Sequence, residues 1–151
     1  MADRALSSVE LLFAEFPAWR SLAKREVDTD GSEYTVVEIP PPAEANVEHG
    51  LVIDTSNDEV TVGFDAYHSH FNDWVGDGNQ FGTQAAIEFI RQVVEEKVAV
   101  ISWWYGDQWR GSAQLEAGAP VEPPSWVGAE AYNRFRVRSW NGTFNRSEEH
   151  T

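Results

Sequence analysis

The sequence predicts an α+β fold: a single domain with a mainly antiparallel sheet of about five to six strands, and an N-terminal helix and one central helix packed on it. Three observations predict it. Two segments carry apolar residues at spacings of three and four, the period of a helix face. Several short runs rich in Val, Ile and aromatics alternate apolar with polar residues, the period of a strand. Short polar or glycine-bearing links join those runs, which favours hairpins over crossovers.

In chain order, Leu6, Val9, Leu12, Phe13 and Phe16 make one apolar stripe, so residues 5–25 read as helical. Pro17 breaks this helix or starts a second short one, Trp19 and Leu22 extend its apolar face, and Lys24 and Arg25 suit a helix C-terminus. Asp28 to Ser32 is a loop, and Tyr34 to Ile39 a strand that Pro40, Pro41 and Pro42 end. Leu51 to Asp54 and Val60 to Tyr67 read as a hairpin with a polar turn between them. Alternation on the second of these places Val60, Val62, Phe64 and Ala66 on one face and Asp65 and Tyr67 on the other. If the strand continues, His68 and His70 fall on the apolar face.

Asp73 to Gly82 is a loop, and Thr83 is the expected N-cap of the central helix. That helix buries Ala86, Ile87, Ile90, Val93 and Val94 and turns Glu88, Arg91, Glu95 and Glu96 to water. Val98 to Tyr105 and Gln108 to Leu115 form a second hairpin around Gly106-Asp107. After a proline-bearing connection, Tyr132 to Trp140 is the last strand. Arg134, Arg136 and Arg138 share one of its faces and need interleaved acids. Residues 1–146 form the domain, and 147–151 read as a polar tail that frays.

Composition narrows the functional classes. The chain has 151 residues, a net charge of −14 and a pI near 4.5. With 42% hydrophobic and 13% aromatic residues it has the means to build a core, so it is not a disordered acidic tail. The acidity is concentrated: from Glu26 to Ile90 there is no lysine or arginine, while fourteen acids occur. Such a field opposes nonspecific binding to nucleic acid or to an anionic membrane, and it favours a basic protein partner. Cysteine is absent, which excludes disulfides, thiolate nucleophiles and Cys-based zinc sites. The first residues lack the apolar core of a signal peptide, and no apolar run reaches the ~20 residues of a membrane span, so a cytoplasmic location is expected.

Several constellations bear on chemistry. His68-Ser69-His70 on a strand would point two imidazoles the same way, as zinc and iron sites do, with His49, Asp65 or Asp73 as a third ligand. The competing reading packs both rings among Phe64, Tyr67, Phe71 and Trp74. Paired carboxylates are too abundant to single out a glycosidase pair, and the tryptophans on predicted strands fit sheet packing. A Gly-X-Ser-X-Gly turn is missing, and the glycine-rich Gly76 to Gly82 lacks the lysine of a phosphate loop. No motif calls for a cofactor or a catalytic residue. The acids and aromatics together suggest a recognition surface of Asp65, Tyr67, Asp73, Trp74 and Asp77, with charge steering the encounter, and the competing reading is an acidic domain whose charge serves solubility over buried aromatics.

Gly63-Phe64-Asp65-Ala66-Tyr67-His68-Ser69-His70-Phe71, Ile101 to Trp109, and Arg138-Ser139-Trp140-Asn141-Gly142 together resemble small bacterial immunity proteins. Those proteins accompany contact-dependent growth inhibition systems and other polymorphic toxins. The likeness spans residues 50–145. It implies a non-enzymatic cytoplasmic protein that binds one cognate toxin domain, basic and nuclease-like, and blocks it. Immunity families diverge at their binding surfaces, so the resemblance assigns no contact residue.

Overall fold

The computed structural model describes residues 7–56, 59–72, 81–122 and 131–149. It is an α+β structure whose strands lie in two antiparallel sheets, of five and four strands, in place of the single sheet expected. The chain divides into two compact units, each discontinuous in sequence: residues 1–40, 51–63 and 68–90, and residues 41–50, 64–67 and 91–151. Among the described residues no helix is long and apolar enough to cross a membrane.

The first unit holds the five-stranded sheet. Helix α1, Ser8–Glu15, begins at Ser7, whose hydroxyl accepts a hydrogen bond from the Glu10 amide at 3.1 Å. This satisfies one of the orphan donors of a helix start. Helix α1 stops at Phe16, and Pro17–Leu22 continues as a 3-10 helix, with Trp19 stacked on Phe16 at 4.3 Å. The expected helix over 5–25 is therefore shorter. Lys24 and Arg25 lie on strand β1, Ala23–Val27, because pairing with the next strand overrides their helix propensity.

Strands β2 (Glu33–Ile39), β3 (Leu51–Asp54), β4 (Glu59–Phe64) and β5 (Tyr67–Asn72) follow, and the sheet runs β1-β2-β3-β4-β5. Register sets Val37 opposite both Ala23 and Ile53, and Ile53 opposite Val62. These residues share one face, and Val37, Ile39, Leu51, Ile53, Val60 and Val62 are buried. The central helix α2, Phe81–Val94, adds buried Ala86, Ile87, Phe89 and Ile90 to this unit, with Phe89 against Phe71 at 5.8 Å. Thr83 is not the N-cap. It lies inside α2, buried, and its hydroxyl meets that of Ser8 on α1 at 2.8 Å.

The second unit holds the four-stranded sheet. Its strands are β6 (Val98–Tyr105), β7 (Gln108–Glu116), β8 (Arg134–Arg138) and β9 (Arg146–Glu149), ordered β7-β6-β8-β9. One face carries the buried cluster Ala99, Ile101, Trp103, Phe135 and Val137. The other carries Val100, Ser102, Trp104 and Arg136, also buried. The expectation that residues 147–151 fray is corrected for 147–149, while 150 and 151 lie outside the described residues. Residues 146–149 pair with β8, Arg146 opposite Val137 and Glu149 opposite Arg134, so the backbone groups of β8 are met on both sides.

Candidate interaction surface

The expected recognition surface included Asp65, and the structure places that residue elsewhere. The chain does not continue as a strand from Val60 to Tyr67. It turns at Asp65-Ala66, where Asp65 takes a left-handed φ of 52°. Aspartate tolerates this conformation better than most residues. The Asp65 side chain is fully enclosed, and Arg136 Nη2 reaches both of its oxygens, at 3.1 and 3.0 Å. The Glu48 amide donates to Asp65 Oδ1 at 2.9 Å, and the Asp65 amide donates to the His49 carbonyl. Arg136 also lies 3.4 Å from Glu48 Oε1 and 5.3 Å from the centre of the Trp104 ring. Asp65 is thus an internal counter-ion.

The arginine face of β8 does meet acids of the lysine- and arginine-free segment, though through loop 41–50 and the turn at Asp65 instead of neighbouring strands. Arg134 donates to the Gly106 carbonyl, and Arg138 to that of Asn46. Burial and then the charge of Arg136 lower the pKa of Arg138, the repulsion expected of like charges on one face.

Tyr67 is half-buried and its hydroxyl accepts a hydrogen bond from Gln114 at 3.1 Å. Asp73, Trp74 and Asp77, with the rest of the glycine-rich loop, lie outside the described residues. His68 and His70 are exposed, contrary to the expectation that they fall on the apolar face, because the turn at Asp65-Ala66 resets the alternation. Their rings lie edge to face at 5.2 Å. His70 Nδ1 is 2.8 Å from Glu59 Oε1 and 2.9 Å from the Thr61 hydroxyl. Among the described residues no group of three or more His, Asp or Glu side chains is placed to hold a metal ion.

The same histidines mark the outward face of the five-stranded sheet. Strand register and alternation set Glu26 beside Tyr34 and Asp54 beside Val36 and Thr61, and set Glu38 beside Val52. Glu26 and Glu38 are exposed, and Tyr34, Val36, Val52, Asp54, Glu59 and Thr61 are half-buried. Partial desolvation raises the pKa of the Tyr34 phenol, and the carboxylates of Asp54, Glu26 and Asp28 raise it further. The face therefore combines acidic side chains with partly open apolar and aromatic ones. Lys24, opposite Val36, is a cation at its edge.

Two features went unread in the sequence. The first is Glu96, expected to face water. It closes α2 in a left-handed conformation at φ 57°, with its amide bonded to the Val93 carbonyl and the Lys97 amide to that of Gln92, a Schellman ending. Glycine is the usual residue there. Glu96 instead sends its carboxylate into the loop after β8. It accepts from the Ser139 hydroxyl at 2.6 Å, the Thr143 hydroxyl at 2.8 Å, the Asn141 side chain at 3.1 Å and the Asn141 and Thr143 amides. Desolvation pushes this carboxyl up, but the hydrogen bonds from Ser139, Thr143 and Asn141 outweigh it and hold the pKa at about 2.

The second feature is the β6–β7 hairpin tip, where Tyr105 and Trp109 are each about half exposed. Aromatics flanking a Gly-Asp turn were the available signal. A pocket of about 260 Å³ also lies in this unit, lined by Leu115, Ala119, Val137, Phe144, Asn145 and Arg146. It is smaller than the usual ligand cleft, and Arg146 already donates to the Ala119 carbonyl at its wall. No protein-family model matches the chain, and the searches of curated proteins and of solved structures return no significant match.

Proposed function

We propose that this chain is an immunity protein that acts in the cytoplasm, binding and neutralising a cognate toxin domain that is basic and nuclease-like. The observation that carries this reading is the outward face of the five-stranded sheet, where Glu26, Glu38, Asp54 and Glu59 surround half-buried Tyr34, Val36 and Val52. A toxin that acts on nucleic acid carries a positive surface for its polyanionic substrate. An acidic inhibitor gains encounter rate from that surface and specificity from the side chains it buries. The resemblance of residues 50–145 to immunity proteins supports the same reading.

The test uses candidate basic toxin domains, including any encoded next to this chain. Co-expression with the full chain should restore growth that one such domain alone arrests. The purified pair should associate at a rate that falls by about tenfold or more between about 50 and about 300 mM salt, as screening removes the steering field. Absence of both protection and a complex would overturn the reading. A complex whose association rate ignores salt would remove its electrostatic basis.

A further inference from the structure

We infer that the β6–β7 hairpin tip is the anchor that this chain inserts into its partner, and that the cleft receiving it has apolar walls and a carboxylate at its mouth. The inference rests on the immunity reading and divides the labour of binding: the carboxylates govern arrival, and the tip governs departure.

The tip is built for contact. Gly106 takes φ 57° as the first of two loop residues, which fits a type II′ turn. Its amide donates to Asn133 Oδ1 at 3.0 Å and its carbonyl accepts from Arg134 Nη2 at 2.9 Å, so side chains from another strand region hold the turn. A register shift between Trp103 and Trp104 adds a local irregularity just below it. Tyr105 pairs with Gln108 and Trp104 with Trp109, so Tyr105 and Trp109 project from opposite faces of the ribbon.

On one face the Arg110 guanidinium lies 5.9 Å from the Tyr105 ring centre and donates to Gln108 Oε1 at 3.1 Å. Among the described residues it has no carboxylate partner. Trp, Tyr and Arg are the side chains that dominate binding energy at interfaces. The backbone that carries them is held at Gly106, so the turn itself loses little further freedom on docking. An aromatic on each side suits a slot more than a flat surface, and Arg110, aligned but unpaired, calls for an acid on the partner.

The experiment measures association and dissociation rates of full-chain variants with the toxin domain that the chain neutralises in the growth assay. Trp109→Ala should raise the dissociation rate by about 50-fold or more and change the association rate by less than about threefold. Arg110→Glu and Tyr105→Ala should each raise it by about tenfold, and Trp109→Phe should retain most of the binding. The double variant Glu38→Lys with Asp54→Lys should show the reverse, slower association at low salt and a dissociation rate within about threefold of wild type. Circular dichroism and the melting midpoint of each variant monitor the fold.

If wild type binds and the folded Trp109, Tyr105 and Arg110 variants all leave as slowly as wild type, the tip assignment is overturned while the immunity reading stands. If wild type does not bind, both fall together.

Discussion

Asp65 sits at a left-handed turn with its carboxylate enclosed, and Arg136 Nη2 reaches both of its oxygens. Removing one member of such a pair leaves a buried charge without its partner. Asp65→Ala should therefore lower the unfolding free energy by about 3–5 kcal/mol, and adding Arg136→Met should restore more than half of the loss. Urea unfolding of the two single variants and the double variant measures the coupling. Additive losses would mean that the pair does not act as a unit. Glu96 is a second case, with a different dependence on pH. Its folded pKa of about 2 lies below the ordinary value of 4.5. Its contribution is therefore complete above about pH 4.5 and is lost as pH falls towards 2, because the unfolded chain takes up the proton first. Glu96→Gln should cost about 1–3 kcal/mol at neutral pH, since one amide oxygen cannot serve donors that used two. It should also flatten the acid loss of stability between about pH 4.5 and 2, read from thermal midpoints across that range.

At the scale of elements, spacing was informative where burial follows one clean period. β2, β3 and the buried face of α2 were legible for this reason, whereas β6, buried on both faces, was legible as a continuous apolar run and the hairpin from its Gly106-Asp107 turn. It failed where long-range pairing overrides local preference. Lys24 and Arg25 read as a helix end, yet they complete strand β1 against β2. Polar-apolar alternation runs straight through Asp65-Ala66, so the turn there left no signature, and with it the outward placement of His68 and His70 was missed. The end of the chain is the third example. Residues 147–151 read as a polar tail by composition, yet Ser147, Glu148 and Glu149 belong to strand β9, which pairs with β8. Truncation after Asn145 should leave β8 as an open edge and lower the melting midpoint by about 5 °C or more. A frayed tail would leave the midpoint unchanged in the same thermal scan.

At the scale of the whole molecule, the acids of the lysine- and arginine-free segment fall into separate roles. Asp65 and Glu48 neutralise Arg136, while Glu26, Glu38, Asp54 and Glu59 line the outward sheet face. The first group stabilises the fold, and the second adds to the self-repulsion of a chain with net charge −14. Raising ionic strength shortens the screening length from about 30 Å at 0.01 M to about 8 Å at 0.15 M. The melting midpoint should rise by about 3–5 °C over that interval, because the exposed acids repel less while the enclosed pair is barely screened. A flat or falling midpoint would show that the exposed field does not limit stability.

The sequence by itself determined the charge, the absence of cysteine chemistry and the α+β class, because these follow from composition and from contacts within a few residues. The candidate surface was legible only in outline, as an acidic segment carrying aromatics. Tertiary structure decided which acids face water and which are consumed inside. It enclosed Asp65 against a residue 71 positions away and clamped Glu96 to a loop 43–47 positions on. It also left Tyr105 and Trp109 open at a pinned turn. An aspartate on a binding surface and an aspartate under an arginine have the same neighbours in the chain. Their difference lies in desolvation and in partners that only folding brings near.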